Sequence, residues 1–164
     1  RQGYETLVLD NLSFGKKENV KHGIFIEGDL SDKELLNRIF SDYPIRAVMH
    51  FAAFKNVGES VKEPLKYYQN NVANTLHLLS AMAAHQIKVF IFSSSASVYG
   101  IPENGLVKEE DPCRPINPYG ETKWMVEKIL ADFDRAYQLR SCSLRYFNAA
   151  GGDPKGEIKN RLTN

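Results

Sequence analysis

The sequence predicts an α/β fold built on a doubly wound parallel sheet, and three observations carry that class. Short apolar runs alternate with longer helical patterns along the 164 residues, as expected of strands joined by crossover helices. The runs are dense in Val, Ile, Leu and Phe, as in strands covered on both faces. Two of them end in polar residues, Asp10 and Ser94-Ser95, at the carboxyl edge where open α/β sheets bind ligands.

The first candidate strand is 6–10, closing on Asp10, and the second is 23–27. Residues 32–43 follow with apolar side chains at 35, 36, 39 and 40, a helix capped by Ser31 or Asp32 and ended before Pro44. The third strand is 47–51. A longer helix starts near Pro64, carries Leu65, Tyr68, Val72, Leu76, Leu79 and Met82 or Ala83 on one face, and stops near His85-Gln86. Strand 89–94 comes next. Between 102 and 118 lie four of the seven prolines, Gly105 and several acidic residues, which reads as a surface loop without regular structure. Asn117 then fits an N-cap with Pro118 at the first helical position, and Met125, Val126, Ile129, Leu130 and Phe133 continue the helix to about Tyr137. The last strand is 142–146. No repeat, low-complexity tract or linker divides the chain, so 1–164 reads as one domain, with the start of another at most after about residue 150.

Composition narrows the function. Hydrophobic residues make up 43% and charged residues 25%, with a formal net charge of +1, so no field of one sign gathers phosphate backbones or anionic lipid. Nucleic acid and membrane are not expected partners. No apolar run approaches the length of a membrane span, and the first residues lack a signal-peptide core, so the cytoplasm is the expected location. Cys113 and Cys142 lie far apart with no CxxC pair, which favours reduced thiols over a zinc site or disulfide framework. His22, His50, His77 and His85 have no ligand spacing, and no metal site is expected.

The beginning is read as incomplete. In dinucleotide-binding βαβ units an acidic residue at the end of the second strand follows a glycine-rich turn by about 20 residues. Asp10 occupies that place, which puts the glycines about ten residues before Arg1. No GxGxxG or GxxGxxG occurs in the chain. The expectation is a fragment without its first strand and phosphate loop.

Four local features carry chemistry. Tyr119 and Lys123 form YxxxK, which stacks both side chains on one helix face; a solvated face is the alternative. A phenol next to an ammonium is favoured as phenolate and can serve as a base. Upstream, 89–95 is an apolar run ending in three hydroxyls, and Ser95 there is placed to orient a substrate oxygen; a polar strand end is the alternative. Asp29-Leu30 follows the second strand and suits either the amine edge of an adenine or helix capping. Finally, Phe51-Ala52-Ala53-Phe54-Lys55 puts small residues after a strand, where a cofactor backbone can approach and Lys55 can meet phosphate or ribose; packing explains small residues there equally well.

Together and in order, these residues resemble the extended short-chain dehydrogenase/reductase family with its Rossmann-like fold, and within it most closely the UDP-glucose 4-epimerases (UDP-galactose 4-epimerases). The matching text is LVLDNLSFG, GDL, VMHFAAFKNVGESV, PLKYYQNNV, FIFSSSASVYG, PINPYGETKWMVE and LRYFNAAG, spanning residues 7 to 151. HFAAFKNVGESV and SSSASVYG look like the epimerase subgroup.

The resemblance implies NAD-dependent, reversible epimerisation at C4 of a UDP-hexose through a transient 4-keto sugar, as in galactose metabolism. It makes Tyr119 the base for the 4-hydroxyl proton, Lys123 the group that tunes Tyr119 and holds the nicotinamide ribose, and Ser95 the hydrogen-bond partner of the sugar oxygen. Asp10, Asn11 and Ser13 are implied at the adenosine ribose, Asp29 and Leu30 at the adenine, and Phe51, Ala52, Ala53 and Lys55 at the diphosphate and nicotinamide side. Asn70 and Tyr146 are also implied on the cofactor, and Phe147 and Asn148 begin the UDP-sugar contacts. A homodimer through helices 64–85 and 118–137 is implied as well. The charge of Asp10 independently favours NAD over NADP, because it repels a 2′-phosphate and accepts from a free 2′-hydroxyl.

Departures from the family pattern are the absent glycine loop, Ala53 where these epimerases often have Gly, and an end at Asn164 where the family continues into a C-terminal substrate domain. The 164-residue chain alone is therefore expected to be inactive and marginally folded, since the first strand belongs at the centre of the order 3-2-1-4-5-6. Two other readings compete. A nucleotide-sugar 4,6-dehydratase or decarboxylase of the same family needs added acid and base groups beside the strand-end hydroxyl, but Ala96 and Ser97 follow Ser95. A noncatalytic dimerising scaffold leaves the trio of Ser95, Tyr119 and Lys123 without a reason.

Overall fold

The structure is a computed structural model, and residues 3–102 and 105–149 are described. Parallel strands and helices alternate along them. The order is β1 (Leu7–Asp10), β2 (Ile24–Glu27), α1 (Lys33–Asp42), β3 (Val48–His50), α2 (Val57–Lys62), α3 (Pro64–Tyr68), a π-helical turn (Gln69–Ala73), α4 (Asn74–Ala84), β4 (Val89–Ser95), a 3-10 turn (Ala96–Tyr99), α5 (Pro118–Tyr137) and β5 (Arg140–Tyr146). A further 3-10 turn, Lys17–Asn19, lies between β1 and β2.

The described residues divide into two compact units, one of 3–29 with 148–149 and the other Leu30–Phe147. In the first, β1 pairs with β2 in parallel, Leu7 opposite Ile24 and Asp10 opposite Glu27. In the second, β4 lies between β3 and β5, again all parallel, with His50 opposite Phe92 and Ser95 opposite Tyr146.

Local chemistry explains the helix ends. Asp32 rather than Ser31 caps α1, its Oδ1 accepting the Leu35 amide at 2.8 Å. Asn117 caps α5 by accepting the Gly120 amide at 2.8 Å, with Pro118 at the first position, where no amide is needed. The α5 end is closed by Gln138 in the left-handed region (φ 58°) and by Lys88 Nζ, which donates to the Tyr137 carbonyl at 2.6 Å. No helix or strand occurs among the described residues between the 3-10 turn and α5. Helix α2 is an element that the apolar pattern did not announce; Asn56 caps it through the Glu59 amide at 2.9 Å.

The core of the larger unit joins Leu36, Ile39 and Phe40 of α1, Leu78, Leu79 and Met82 of α4, Phe90 and Phe92 of β4, and Val126 and Leu130 of α5. A fully buried side chain of this size contributes about 1.5–3 kcal/mol. The buried face of the 64–85 segment differs from the apolar stripe expected of it. Tyr67, Asn71, Asn74, Thr75, Leu78, Leu79 and Met82 are inside, whereas Leu65 is 80% exposed and Leu76 37% exposed. Polar residues occupy three inward positions there, so apolar periodicity finds only part of the buried face: Leu79 and Met82 of the expected stripe are inside.

Candidate active site

Lys123 is the best-defined member of the site. It lies 4% exposed on the inner face of α5, and its Nζ donates to the Ser93 carbonyl at 2.8 Å. The Nζ sits 4.9 Å from the Phe92 ring centre and 5.9 Å from that of Tyr119. Burial brings its pKa down to about 8, so near neutral pH it is a cation that gives up its proton readily. The YxxxK spacing therefore places Lys123 within the fold, against strand β4, and not on a solvated face.

Ser95 closes β4 at 9% exposure. Its Oγ accepts the Ser97 amide at 3.2 Å and its hydroxyl donates to Ser97 Oγ at 3.1 Å, turning the chain into the 3-10 turn. Helix α5 then comes very close to that turn. A methyl group on Gly120 would lie 2.7 Å from the Ser97 carbonyl oxygen and 3.1 Å from Pro115 Cβ, so only glycine allows the approach. Tyr119, half-buried beside Gly120, is thereby held next to the turn that follows Ser95.

A buried polar network fixes α5 to the loop after β3. The Asn71 Oδ1 accepts the Phe54 amide at 2.9 Å and its Nδ2 donates to the Phe54 carbonyl at 2.9 Å and to Thr122 Oγ1 at 3.2 Å. Thr122 in turn donates to the Tyr119 carbonyl at 2.7 Å. Thr75 gives its one hydroxyl proton to the Asn71 carbonyl at 2.8 Å, so the 2.9 Å contact with His50 Nε2 assigns the proton to Nε2. His50 is neutral: burial first, then the Lys123 charge, lowers its pKa to about 3.

On the same face of β4 as Phe92, Ser94 donates to Glu127 Oε1, one helical turn beyond Lys123 on α5. Glu127 takes Arg145 through Nη2 at 2.7 Å and Nε at 3.1 and 3.2 Å. The Arg145 Nη1 donates to Tyr99 Oη at 2.8 Å and to the Glu109 carbonyl at 3.0 Å, tying the loop before α5 to β5. Hydrogen bonding to Glu127 holds the guanidinium above its ordinary pKa.

The expected nucleotide residues fall as follows. In the smaller unit Asp10 stands exposed at the end of β1; its Oδ1 accepts the Leu12 amide at 2.7 Å, with Leu12 in the left-handed region at φ 58°. Asn11 Oδ1 accepts the Ser13 amide at 3.0 Å, while Asn11 Nδ2 donates to Asp29 Oδ2 at 2.6 Å. The Asp29 carboxylate thus pairs with Asn11, and the capping alternative goes to Asp32. In the larger unit Leu30 is half-buried, Phe51, Ala52 and Lys55 are exposed and Ala53 is half-buried in the loop after β3. Asn70 Nδ2 donates to Asn71 Oδ1 at 2.9 Å, which brings it to that loop. Tyr146 faces Ser95 across the β4–β5 register. Phe147 and Asn148 follow, both exposed. Sequence reasoning missed Asn71, Thr122, Ser97, Gly120 and Arg145; the one signal for Asn71 was a polar residue a helical turn after the inward Tyr67.

Comparison with known proteins agrees with this geometry. The family model described as NAD dependent epimerase/dehydratase family matches residues 1–164. The UDP-glucose 4-epimerase of Rhizobium meliloti (strain 1021) is 48% identical over 157 residues, covering 96% of this chain and 48% of the relative. That of Bacillus subtilis (strain 168) is 46% identical over 165 residues, covering 95% and 49%. The crystal structure of the Brucella ovis UDP-glucose 4-epimerase in complex with NAD superposes with a TM-score of 0.94 at 47% identity, covering 98% of this chain and 49% of that one. The Bifidobacterium longum enzyme in complex with NAD+ and UDP gives 0.90 at 40% identity, covering 95% and 50%. The chain spans about half the length of the relatives it matches.

The chemistry of the residues present fits NAD in each unit taken by itself: in the smaller, the exposed Asp10 carboxylate is compatible with a ribose that carries no 2′-phosphate, and in the larger, Ala52 and Ala53 have side chains that end at Cβ. Among the described residues no helix is long and apolar enough to cross a membrane. With a Rossmann-like parallel α/β fold, a buried lysine one turn from a tyrosine, and a family model matched from end to end, the chain belongs to the NAD-dependent epimerase/dehydratase family.

Proposed function

We propose that the intact protein interconverts UDP-glucose and UDP-galactose by oxidising and re-reducing C4 of the bound sugar. The observation that carries this reading is Lys123, buried and bonded to the Ser93 carbonyl at 2.8 Å, with Tyr119 one helical turn before it and Ser95 at the end of the same strand. Relatives named UDP-glucose 4-epimerase at 48% identity support the choice of substrate.

NAD, when bound, supplies the acceptor and later the donor of the C4 hydride. Tyr119 takes the 4-hydroxyl proton as the hydride leaves and gives it back when the hydride returns. The Lys123 cation stabilises negative charge on the phenol oxygen and holds a ribose hydroxyl of the cofactor. Ser95 hydrogen-bonds the sugar oxygen. Between the two transfers the 4-keto sugar would turn its other face to the hydride donor, and that turn inverts C4. Asp10, Asn11 and Ser13 contact the adenosine ribose, Asp29 and Leu30 the adenine, Phe51, Ala52, Ala53, Lys55, Asn70 and Tyr146 the rest of the dinucleotide, and Phe147 and Asn148 the UDP-sugar. The intact protein works in the cytoplasm as a homodimer, burying the helix faces that carry Leu65 and Leu76 on one segment and Met125, Ile129 and Phe133 on α5.

The test is product analysis with the intact protein, UDP-glucose and NAD. UDP-galactose is expected, and Tyr119→Phe should lower kcat by about 100-fold or more, the usual scale for a general base. A 4-keto-6-deoxy product, or undiminished activity in the Phe variant, would overturn the reading.

A further inference from the structure

Resting on the epimerase reading above, we infer that Glu127 is a positioning residue, holding Lys123 in place against the end of β4 through its hydrogen bonds to Ser94 and Arg145. Lys123 and Glu127 lie four residues apart on α5, so both side chains leave the same helix face. That face meets three consecutive residues of β4. Ser93 gives its carbonyl to Lys123 Nζ at 2.8 Å, Ser94 gives its hydroxyl proton to Glu127 Oε1, and Ser95 is the proposed partner of the sugar oxygen. The direction of the middle bond is fixed, because a carboxylate paired with a guanidinium only accepts.

Glu127 is tied to the chain on both sides of Ser95. Ser94, directly before it, is bonded to the carboxylate. Arg145 stands opposite Ser94 in the β4–β5 register and takes both carboxylate oxygens, with Nη2 at 2.7 Å from Oε2 and Nε at 3.1 Å from Oε1. Its Nη1 donates to Tyr99 Oη at 2.8 Å, at the end of the turn that follows Ser95. One carboxylate therefore joins the chain before and after Ser95 to the helix turn beyond Lys123.

Packing alone does not call for charge at this place. The Glu127 side chain is 8% exposed and that of Arg145 20%, and apolar residues of similar volume often stabilise a fold as well as a buried ion pair does. What the carboxylate adds is direction, since its bonds set a distance and a register that apolar contact leaves loose. Tyr119 has anchors of its own, the fit of Gly120 to the Ser97 carbonyl and the Thr122 hydroxyl on the Tyr119 carbonyl. Glu127 therefore acts on the reaction through Lys123.

The experiment compares the intact, NAD-loaded wild-type protein with Ser94→Ala and Glu127→Asp, each also made in a Lys123→Met background. Ser94→Ala leaves the ion pair whole and strands no charge; Glu127→Asp keeps the charge and withdraws it by one methylene. Epimerisation of UDP-galactose is followed for hours, so that slow variants are read as well. Both substitutions should lower kcat about 10-fold with KM near wild type, a fraction of the roughly 100-fold that a misplacement of about 1 Å costs. In the Lys123→Met background each should change kcat by less than about 2-fold, because residues that act as a unit give non-additive losses. A wild-type kcat in either variant, or the same fold-loss in both backgrounds, as a purely structural role would give, overturns the role of Glu127 while leaving the epimerase reading intact. A wild-type protein that fails to epimerise UDP-galactose overturns both.

Discussion

The chemistry of the site is set by where single polar groups are denied water. Lys123 and His50 share the inner surface of β3 and β4, and burial acts on both in the same direction, against the charged form. For His50 the consequence is a pH-dependent stability. Its pKa is about 3 in the folded chain against 6.5 when unperturbed, so between those values the unfolded state binds the extra proton and stability falls on acidification. By this linkage the His50 component lost between pH 6.5 and pH 3 is about 3–5 kcal/mol. His50→Gln keeps a donor toward Thr75 and removes the titration. Denaturant unfolding across that range should give a shallower loss for the variant; an identical slope in both proteins would remove His50 from the account.

Among the elements, α5 and the 64–84 segment decide how much could be read in advance. Helix α5 was legible end to end because Asn117-Pro118 is a cap written in side chains and Val126 and Leu130 keep helical spacing into the core. The 64–84 segment was legible as a helix but only partly in its facing, through Leu79 and Met82. Its inward Asn71 and Thr75 are polar because they bond the β3 loop, α5 and His50, and that purpose is visible only once those partners are placed. The 3-10 turn after Ser95 and the fit of Gly120 against it are likewise long-range facts with no local period. Leu65 stands exposed on α3, on the segment that the proposed dimer would use. If the proposed dimer uses it, light scattering should give the mass of two chains for the intact protein and a shift toward one for Leu65→Glu, with circular dichroism unchanged. A dimer mass unaffected by the substitution would place the interface elsewhere.

At the scale of the whole molecule, the five strands among the described residues are parallel within each sheet: Asp10 ends β1, and His50, Ser95 and Tyr146 end β3, β4 and β5. The strand runs were legible to within one or two residues because parallel strands are apolar on both faces. Their separation into a two-stranded and a three-stranded sheet is a matter of pairing, which composition does not encode. The central claim is that C4 of the sugar loses and regains the same hydride while Tyr119 exchanges only the proton on oxygen. The most direct test follows deuterium placed at C4 of UDP-galactose through turnover by the intact, NAD-loaded protein in ordinary water. The account predicts UDP-glucose that retains deuterium at C4; UDP-glucose with the label washed into solvent would contradict it.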